Sequence, residues 1–224
     1  MRKMKKIVIS LGGSLINPGK INHKFLLEFK ATIRKFSRYK IVIVTGGGKI
    51  ARDYIEALSD KSEKIRSLIG IKTTKLNAML VSNFLDNEIV VPDSLKEVEK
   101  LSRMKGIVVC GALGYREKMT SDGTAANVAR VIRADYFVNI TNVKGLYDKD
   151  PRKFKNAKLI SEIGFFDFLK MVNKIKYKPG QHFVLDQIAA RIIAKHKIKT
   201  VILKGPDELD KCLNNKKFTG TVIC

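Results

Sequence analysis

The chain predicts an α/β fold, a three-layer αβα sandwich around a largely parallel sheet, and three observations predict it. Short β-branched runs alternate with longer segments whose apolar residues recur every three or four positions, so strands and amphipathic helices take turns along the sequence. Three of the runs stop at glycine, at Gly12-Gly13, at Gly46-Gly47-Gly48 and at Gly111, where the backbone must turn tightly. A length of 224 residues with 45% hydrophobic content suffices for one full core, and no linker or internal repeat interrupts it, so residues 1–224 read as a single domain. In open parallel sheets ligands sit at the carboxyl ends of the strands, and the glycine turns fall on that edge.

Taken in order, Lys6–Leu11 is an apolar first strand. Residues 24–36 carry Phe25, Leu26, Phe29, Ile33 and Phe36 at helical spacing, with Lys30, Arg34 and Lys35 between them. A second apolar run over 41–45 ends at three glycines, and a helix over 49–58 follows at once, with Ile50, Tyr54, Ile55 and Leu58 expected on its core face; the polar run 59–64 closes it. Residues 70–85 predict a further helix, and 89–91 a short strand ended by Pro92. A weak helix over 98–104 leads into a strand over 106–110, in which Cys110 is expected in the core. Thr120, Ser121 or Asp122 can cap a helix over 123–133, and Tyr136–Thr141 is the next strand. A capped helix is predicted over 161–173, a break at Pro179-Gly180, a helix opened by Asp186 and running through 195, and late strands over 200–203 and 219–223.

Composition narrows the function. The net charge of +23 makes polyanions natural partners, yet the charge is spread along the chain without an arginine-rich arm or an RNP-like aromatic motif, and there is no tryptophan to stack on bases. Specific nucleic-acid binding is therefore not expected, and a small anion-handling enzyme is. Three well-separated cysteines with no companion histidines support neither a disulfide scaffold nor a zinc site, and no residue set has metal-ligand spacing. No apolar run approaches the roughly 18 residues of a membrane span, and the apolar stretch after the basic N-terminus is too short for a signal peptide, so a cytoplasmic protein without a membrane partner is expected.

The chemistry concentrates at the turn Gly46-Gly47-Gly48. Glycine lets the backbone approach a ligand, and the N–H groups at the following helix start carry the positive end of its dipole, a natural phosphate cradle with Lys49 and Arg52 alongside. The pattern is neither a P-loop nor a dinucleotide fingerprint. Together with Gly12-Gly13-Ser14, Thr120-Ser121-Asp122 and the stretch Thr-Asn-Val-Lys-Gly-Leu-Tyr-Asp-Lys-Asp-Pro over 141–151, in this order, it resembles the amino acid kinase family. Within that family, the extension over 46–54 and the segment Asp186-Gln-Ile-Ala-Ala-Arg are most similar to the uridylate (UMP) kinases of the archaeal branch.

The resemblance implies an ATP- and Mg²⁺-dependent phosphorylation of UMP to UDP in pyrimidine nucleotide biosynthesis, carried out by a homohexamer. About residues 1–115 would serve mainly the acceptor and about 116–224 mainly ATP. By position, it implies that Gly13 and Ser14 contact the ATP phosphates, Gly47 the UMP phosphate, and Gly48 and Arg52 the phosphoryl group in transit. Thr141, Tyr147 and Asp150 would line the adenosine side, Ser67, Thr120 and Ser121 the acceptor, and Asp122 and Asp186 the reaction centre. For both aspartates the residues alone allow a second reading, a helix N-cap.

The sequence departs from the family pattern in places that bear on the acceptor. Many relatives carry Lys where this chain has Ser10, leaving Lys49 or Lys144 to supply the charge; an acidic ribose ligand is replaced by Ser67; Lys144 stands where Asp is usual; and the loop 114–119 differs. Ser10, Ser67, Arg116 and Lys118 thus point to an alternative, a kinase of the same fold for another small phosphate or carboxylate. The net charge of +23 points to a second, a nucleotide- or nucleic-acid-binding relative without turnover.

Overall fold

The computed structural model describes residues 4–117, 119–174 and 185–224. Lys118 and the Pro179-Gly180 break lie outside the described residues. The elements run β1 (Lys6–Leu11), α1 (Gly13–Ile16), α2 (His23–Arg34), β2 (Lys40–Thr45), α3 (Gly48–Ala57), α4 (Glu63–Phe84), α5 (Leu95–Met104), β3 (Ile107–Cys110), α6 (Ser121–Ile132) and β4 (Tyr136–Thr141). They continue with β5 (Leu146–Tyr147), β6 (Leu159–Ile160), β7 (Glu162–Ile163), α7 (Phe165–Lys174), α8 (Gln187–His196), β8 (Thr200–Lys204), α9 (Gly205–Leu213) and β9 (Gly220–Ile223). Among the described residues seven strands form one sheet in the order β3-β2-β1-β4-β8-β9-β7, parallel except between β8 and β9, while β5 and β6 make a separate antiparallel ribbon.

Alternation along the strands builds the three layers. Ile7, Ile9 and Leu11 of β1 and Ile41 and Ile43 of β2 face one way and pack with Phe25, Leu26, Phe29 and Ile33 of α2, Ala78 and Val81 of α4 and Leu209 of α9. Val8, Val42 and Val44 face the other way, onto Val98 of α5, Ala125 and Ala129 of α6, Phe168 of α7 and Ala189 of α8. Ser10 follows Val8 by two residues and so shares its face, which directs its hydroxyl to the side where α6 begins. Cys110 lies fully inside, as expected, and burial pushes its thiol up to about 12.

Several expectations are corrected. Residues 89–91 form no strand: they join no sheet among the described residues, and Ile89 and Val90 are exposed. The helix expected from 70 begins at Glu63, because Ser62 caps it by accepting from the Ile65 N–H, so the polar run 59–64 ends one helix and starts the next. In α3 only Gly48 and Ala51 are buried, while Tyr54 is 58% exposed and not core. The helix expected from 161 starts at Phe165, since residues 162–163 add β7 beside β9 instead. The short α1 and the Pro206-containing α9 were not expected. No helix among the described residues is long and apolar enough to cross a membrane.

Candidate active site

The turns after β1 and β2 meet backbone to backbone. Gly46 N–H donates to Leu11 O at 3.0 Å and Lys49 N–H to Asn17 O at 3.1 Å. A Cβ on Gly13 would lie 2.0 Å from Gly48 N, one on Gly46 would lie 2.6 Å from Gly13 N, and Gly48 has φ +70° with Gly13 O 2.6 Å from where its Cβ would stand. Glycine is thus required here by the contact between the two turns as well as by conformation. Gly12 and Gly47 stand at the N-cap positions of α1 and α3 without a side-chain cap; Leu15 N–H is taken by Gly12 O and Lys49 N–H by Asn17 O, and no cap side chain covers the other helix-start N–H groups of the two turns.

Beside this edge, β1, α6 and α8 bring four side chains together. The buried Ser10 donates from Oγ to Asp122 Oδ1 at 2.6 Å. The cap of α6 is Thr120, whose Oγ1 accepts from Gly123 N–H at 3.0 Å, so Asp122 is not the N-cap that its position in sequence allowed. Thr120 Oγ1 donates in turn to Asp186 Oδ2. Asp186 is the N-cap of α8, its Oδ1 accepting from Ile188 N–H at 2.7 Å and Ala189 N–H at 2.9 Å. Gly123 permits this approach, because a Cβ there would stand 2.9 Å from Met119 Sδ and 3.2 Å from Ile188 Cγ2. Enclosure, and then the neighbouring Asp186 charge, pushes the Asp122 carboxyl up to about 7, against the Ser10 hydrogen bond, which lowers it.

The remaining residues singled out in the sequence are placed more loosely. Arg52 is exposed on α3, four residues beyond Gly48 and so on the same side of the helix. Ser14 lies half-buried in α1, and Ser121 opens α6. Ser67 is half-buried on α4, beside Arg66, whose Nε is buried with no hydrogen-bond partner among the described residues. Thr141 ends β4, and Tyr147 pairs with Leu159 across the β5–β6 ribbon. Asp150 is turned onto Arg152, accepting from its backbone N–H at 3.0 Å and Nε at 3.2 Å; these bonds hold its carboxyl below the usual carboxylate range. Lys49 is paired with Asp53 at 2.7 Å, while Lys144 is exposed and has no ion pair among the described residues. The structure thus gathers Ser10, Thr120, Asp122 and Asp186 in one cluster and leaves Asp150 outside it. Sequence reasoning passed over Thr45, Thr74 and Asn77, which are buried against the glycine turns. For Thr74 and Asn77 the signal was a polar set, Thr-Thr-x-x-Asn, in the middle of α4; Thr45, the last residue of β2, left none.

Two glycine turns at the carboxyl edge of a parallel sheet, opening helices beside a carboxylate pair, define an α/β protein built to hold phosphate groups. The family model of the amino acid kinase family matches residues 5–204, and the chain belongs to that family. It is 37% identical to the uridylate kinase of Methanococcus aeolicus over 97% of this chain and 99% of that protein. The crystal structure of the uridylate kinase from Archaeoglobus fulgidus, at 35% identity, superposes with a TM-score of 0.87 and covers 98% of this chain and 100% of that one. A UMP kinase structure from Ureaplasma parvum, 22% identical, shares the fold with a TM-score of 0.81.

Proposed function

We propose that this chain is a nucleoside monophosphate kinase that transfers the γ-phosphoryl group of ATP to UMP, giving UDP and ADP. The observation that carries the reading is the pair of interlocked glycine turns beside the Ser10–Asp122–Asp186 cluster, in a chain similar over nearly its full length to uridylate kinases. Phosphoryl transfer requires positioning and charge stabilisation more than covalent help from the protein. Gly13 and Ser14 would hold the ATP phosphates, Gly47 the UMP phosphate, and Gly48 the group in transit. Arg52, on the side of α3 that carries Gly48, would add a bidentate donor for that group. Ser67, Thr120 and Ser121 take the acceptor side, and Thr141, Tyr147 and Asp150 the adenosine side. Residues 1–115 would thus serve mainly UMP and 116–224 mainly ATP. The same reading puts the enzyme in the cytoplasm and in pyrimidine nucleotide synthesis.

A divalent cation fits this donor set. Asp122, Asp186, Ser10 and Thr120 offer hard oxygen atoms suited to Mg²⁺. When bound, Mg²⁺ would neutralise phosphate charge. The residues themselves orient: Ser10 fixes one Asp122 oxygen, and Thr120 with the α8 N–H groups fixes Asp186.

The deciding experiment is ADP release with ATP and Mg²⁺ across UMP, CMP, dUMP, AMP, GMP and a small isoprenoid or sugar phosphate. UMP should be preferred; no turnover with UMP would overturn the acceptor. In the same assay Arg52→Ala should lower kcat/KM by about 100-fold, the usual scale for losing a transition-state charge contact. An unchanged rate would make Arg52 a solvated surface charge.

We further propose that the enzyme works as a homo-oligomer, a hexamer by resemblance. Ile65, Leu68, Leu76 and Met79 lie on one side of α4 and are 43–57% exposed, two apolar pairs flanking the exposed Lys72 on a face suited to a second copy of the same helix. Leu76→Glu combined with Met79→Glu should reduce the mass measured by sedimentation equilibrium. An unchanged mass would place any assembly contact elsewhere.

A further inference from the structure

The face of α4 that turns inward carries polar residues where core would be expected. Asn77 is 3% exposed and Thr74 is 7% exposed, among Ala78 and Val81, which pack into the apolar core. Burying an amide or hydroxyl is costly unless it is bonded, so their partners indicate what the positions are for. Asn77 Nδ2 donates to Gly46 O at 2.7 Å. Thr74 Oγ1 donates to Ile71 O at 2.7 Å and accepts from Ala112 N–H at 2.8 Å. From the strand side, the fully buried Thr45 Oγ1 bonds to Thr74 O at 2.8 Å and Cys110 O at 3.3 Å. A Cβ on Gly111 would lie 2.6 Å from Thr74 Oγ1 and 2.7 Å from Lys75 N. One turn of α4 is therefore wedged between the ends of β2 and β3 and bonded to both.

We propose that Asn77 and Thr74 are positioning residues that aim the phosphate-binding turn Gly46–Gly48; this rests on the reading that the turn holds the acceptor phosphate. The argument is one of peptide geometry. In a planar trans peptide the carbonyl and the following N–H point in opposite directions. Gly46 O and Gly47 N–H belong to one such unit, so fixing Gly46 O on Asn77 points Gly47 N–H away from α4. Glycine leaves that plane free to rotate, and no side chain at 46, 47 or 48 can hold it. The lock must come from outside the turn, and Asn77 supplies it. Thr74 acts less directly: its Oγ1 holds the unit joining Gly111 to Ala112 past the end of β3, while its main-chain oxygen accepts from Thr45 Oγ1 at the end of β2, so the same turn of α4 backs the strand end that carries the glycine turn.

Two pairs of variants test this with ATP and UMP as substrates, well below the thermal midpoint of each variant. Asn77→Leu keeps the branching at Cγ, in a larger side chain, and removes the donor, and Thr74→Val keeps the shape and removes the hydroxyl, whereas Asn77→Gln and Thr74→Ser retain the groups. Asn77→Leu and Thr74→Val should raise the KM for UMP by about tenfold, the scale of one lost buried hydrogen bond, with the KM for ATP moving far less. Thr74→Ser should stay near wild type. Amide hydrogen exchange in peptides spanning 44–50 should quicken in Asn77→Leu, with exchange in β4 and β8 unchanged. The exchange measurement separates this proposal from the choice of acceptor: if the wild type does not use UMP, the functional reading fails while the lock is still read from exchange. If Asn77→Leu does not fold, the Thr74→Val and Thr74→Ser pair decides. Exchange and UMP KM both at wild-type values in the folded variants would overturn the proposal and leave the two residues as ordinary core polar groups.

Discussion

Above pH 7 Asp122→Asn is expected to cut turnover by about 100-fold or more while the fold survives, because it removes the charge the carboxylate carries there at almost constant shape. The cap of α6 is Thr120, so the substitution touches no capping bond, and the amide oxygen of Asn can still accept from Ser10 Oγ. The stability change has a definite sign. The Asp122 carboxyl is held up to about 7, so in the folded protein it keeps a proton that an unfolded chain gives up near pH 4. The stability carried by that proton is fully present below the unfolded value and is lost as pH rises through about 7. Asn carries no charge at any pH. Asp122→Asn should therefore melt higher than the wild type above pH 7, with the difference narrowing toward pH 4. Turnover and thermal midpoint across this range, on one preparation, check both halves. Full activity would remove Asp122 from the chemistry, and a midpoint difference that grew on acidification would contradict the environment described for it.

Gly13→Ala should be more damaging than its one added methyl suggests. The new Cβ would stand 2.0 Å from Gly48 N and 2.6 Å from the Gly46 carbonyl carbon, and both are backbone atoms with no rotamer to yield. Overpacking of this kind costs about 3 kcal/mol where the surroundings cannot relax. Here relaxation means parting the two turns that hold the phosphates, so activity should fall to background even in molecules that remain folded. Gly106→Ala is the matched control: a Cβ there meets nothing within 4 Å, so stability and rate should be unchanged. Denaturant midpoints and ADP release on the two variants give the comparison. Near-normal activity in Gly13→Ala would mean that the turns separate without consequence.

The layers and the ligand edge were legible because they rest on strong local signals. β1, β2, β3 and β4 are unbroken apolar runs, three of them ended by glycine, and such runs have few alternatives once flanked by amphipathic segments. The start of α4 was obscured because the run 59–64 carries the polarity of a loop, although Ser62 within it is a cap. Ile89 and Val90 look like strand residues, and only the absence of a neighbouring strand, a tertiary fact, makes them otherwise. At the site, the aspartates could be named from their motifs, but a sequence cannot say which of Thr120, Ser121 and Asp122 caps the helix. That depends on the extended backbone of Thr120, which frees Asp122 to meet Ser10 across 112 residues of chain. Ser10 was read as a missing charge, and it is the hydrogen-bond donor that anchors the carboxylate. Asn77 and Thr74 stayed hidden because their partners are main-chain atoms, which leave no mark in sequence.

The contact between Gly13 and the Gly46–Gly48 turn also governs how the molecule can be rebuilt. Main chain rests on main chain there, so neither loop has a side chain that could be trimmed or enlarged to accommodate a change in the other. A loop graft from a relative must carry both segments together with the α4 turn that braces them, or the recipient inherits two halves cut to different patterns. Evolution works under the same restriction: the two turns must change together or not at all.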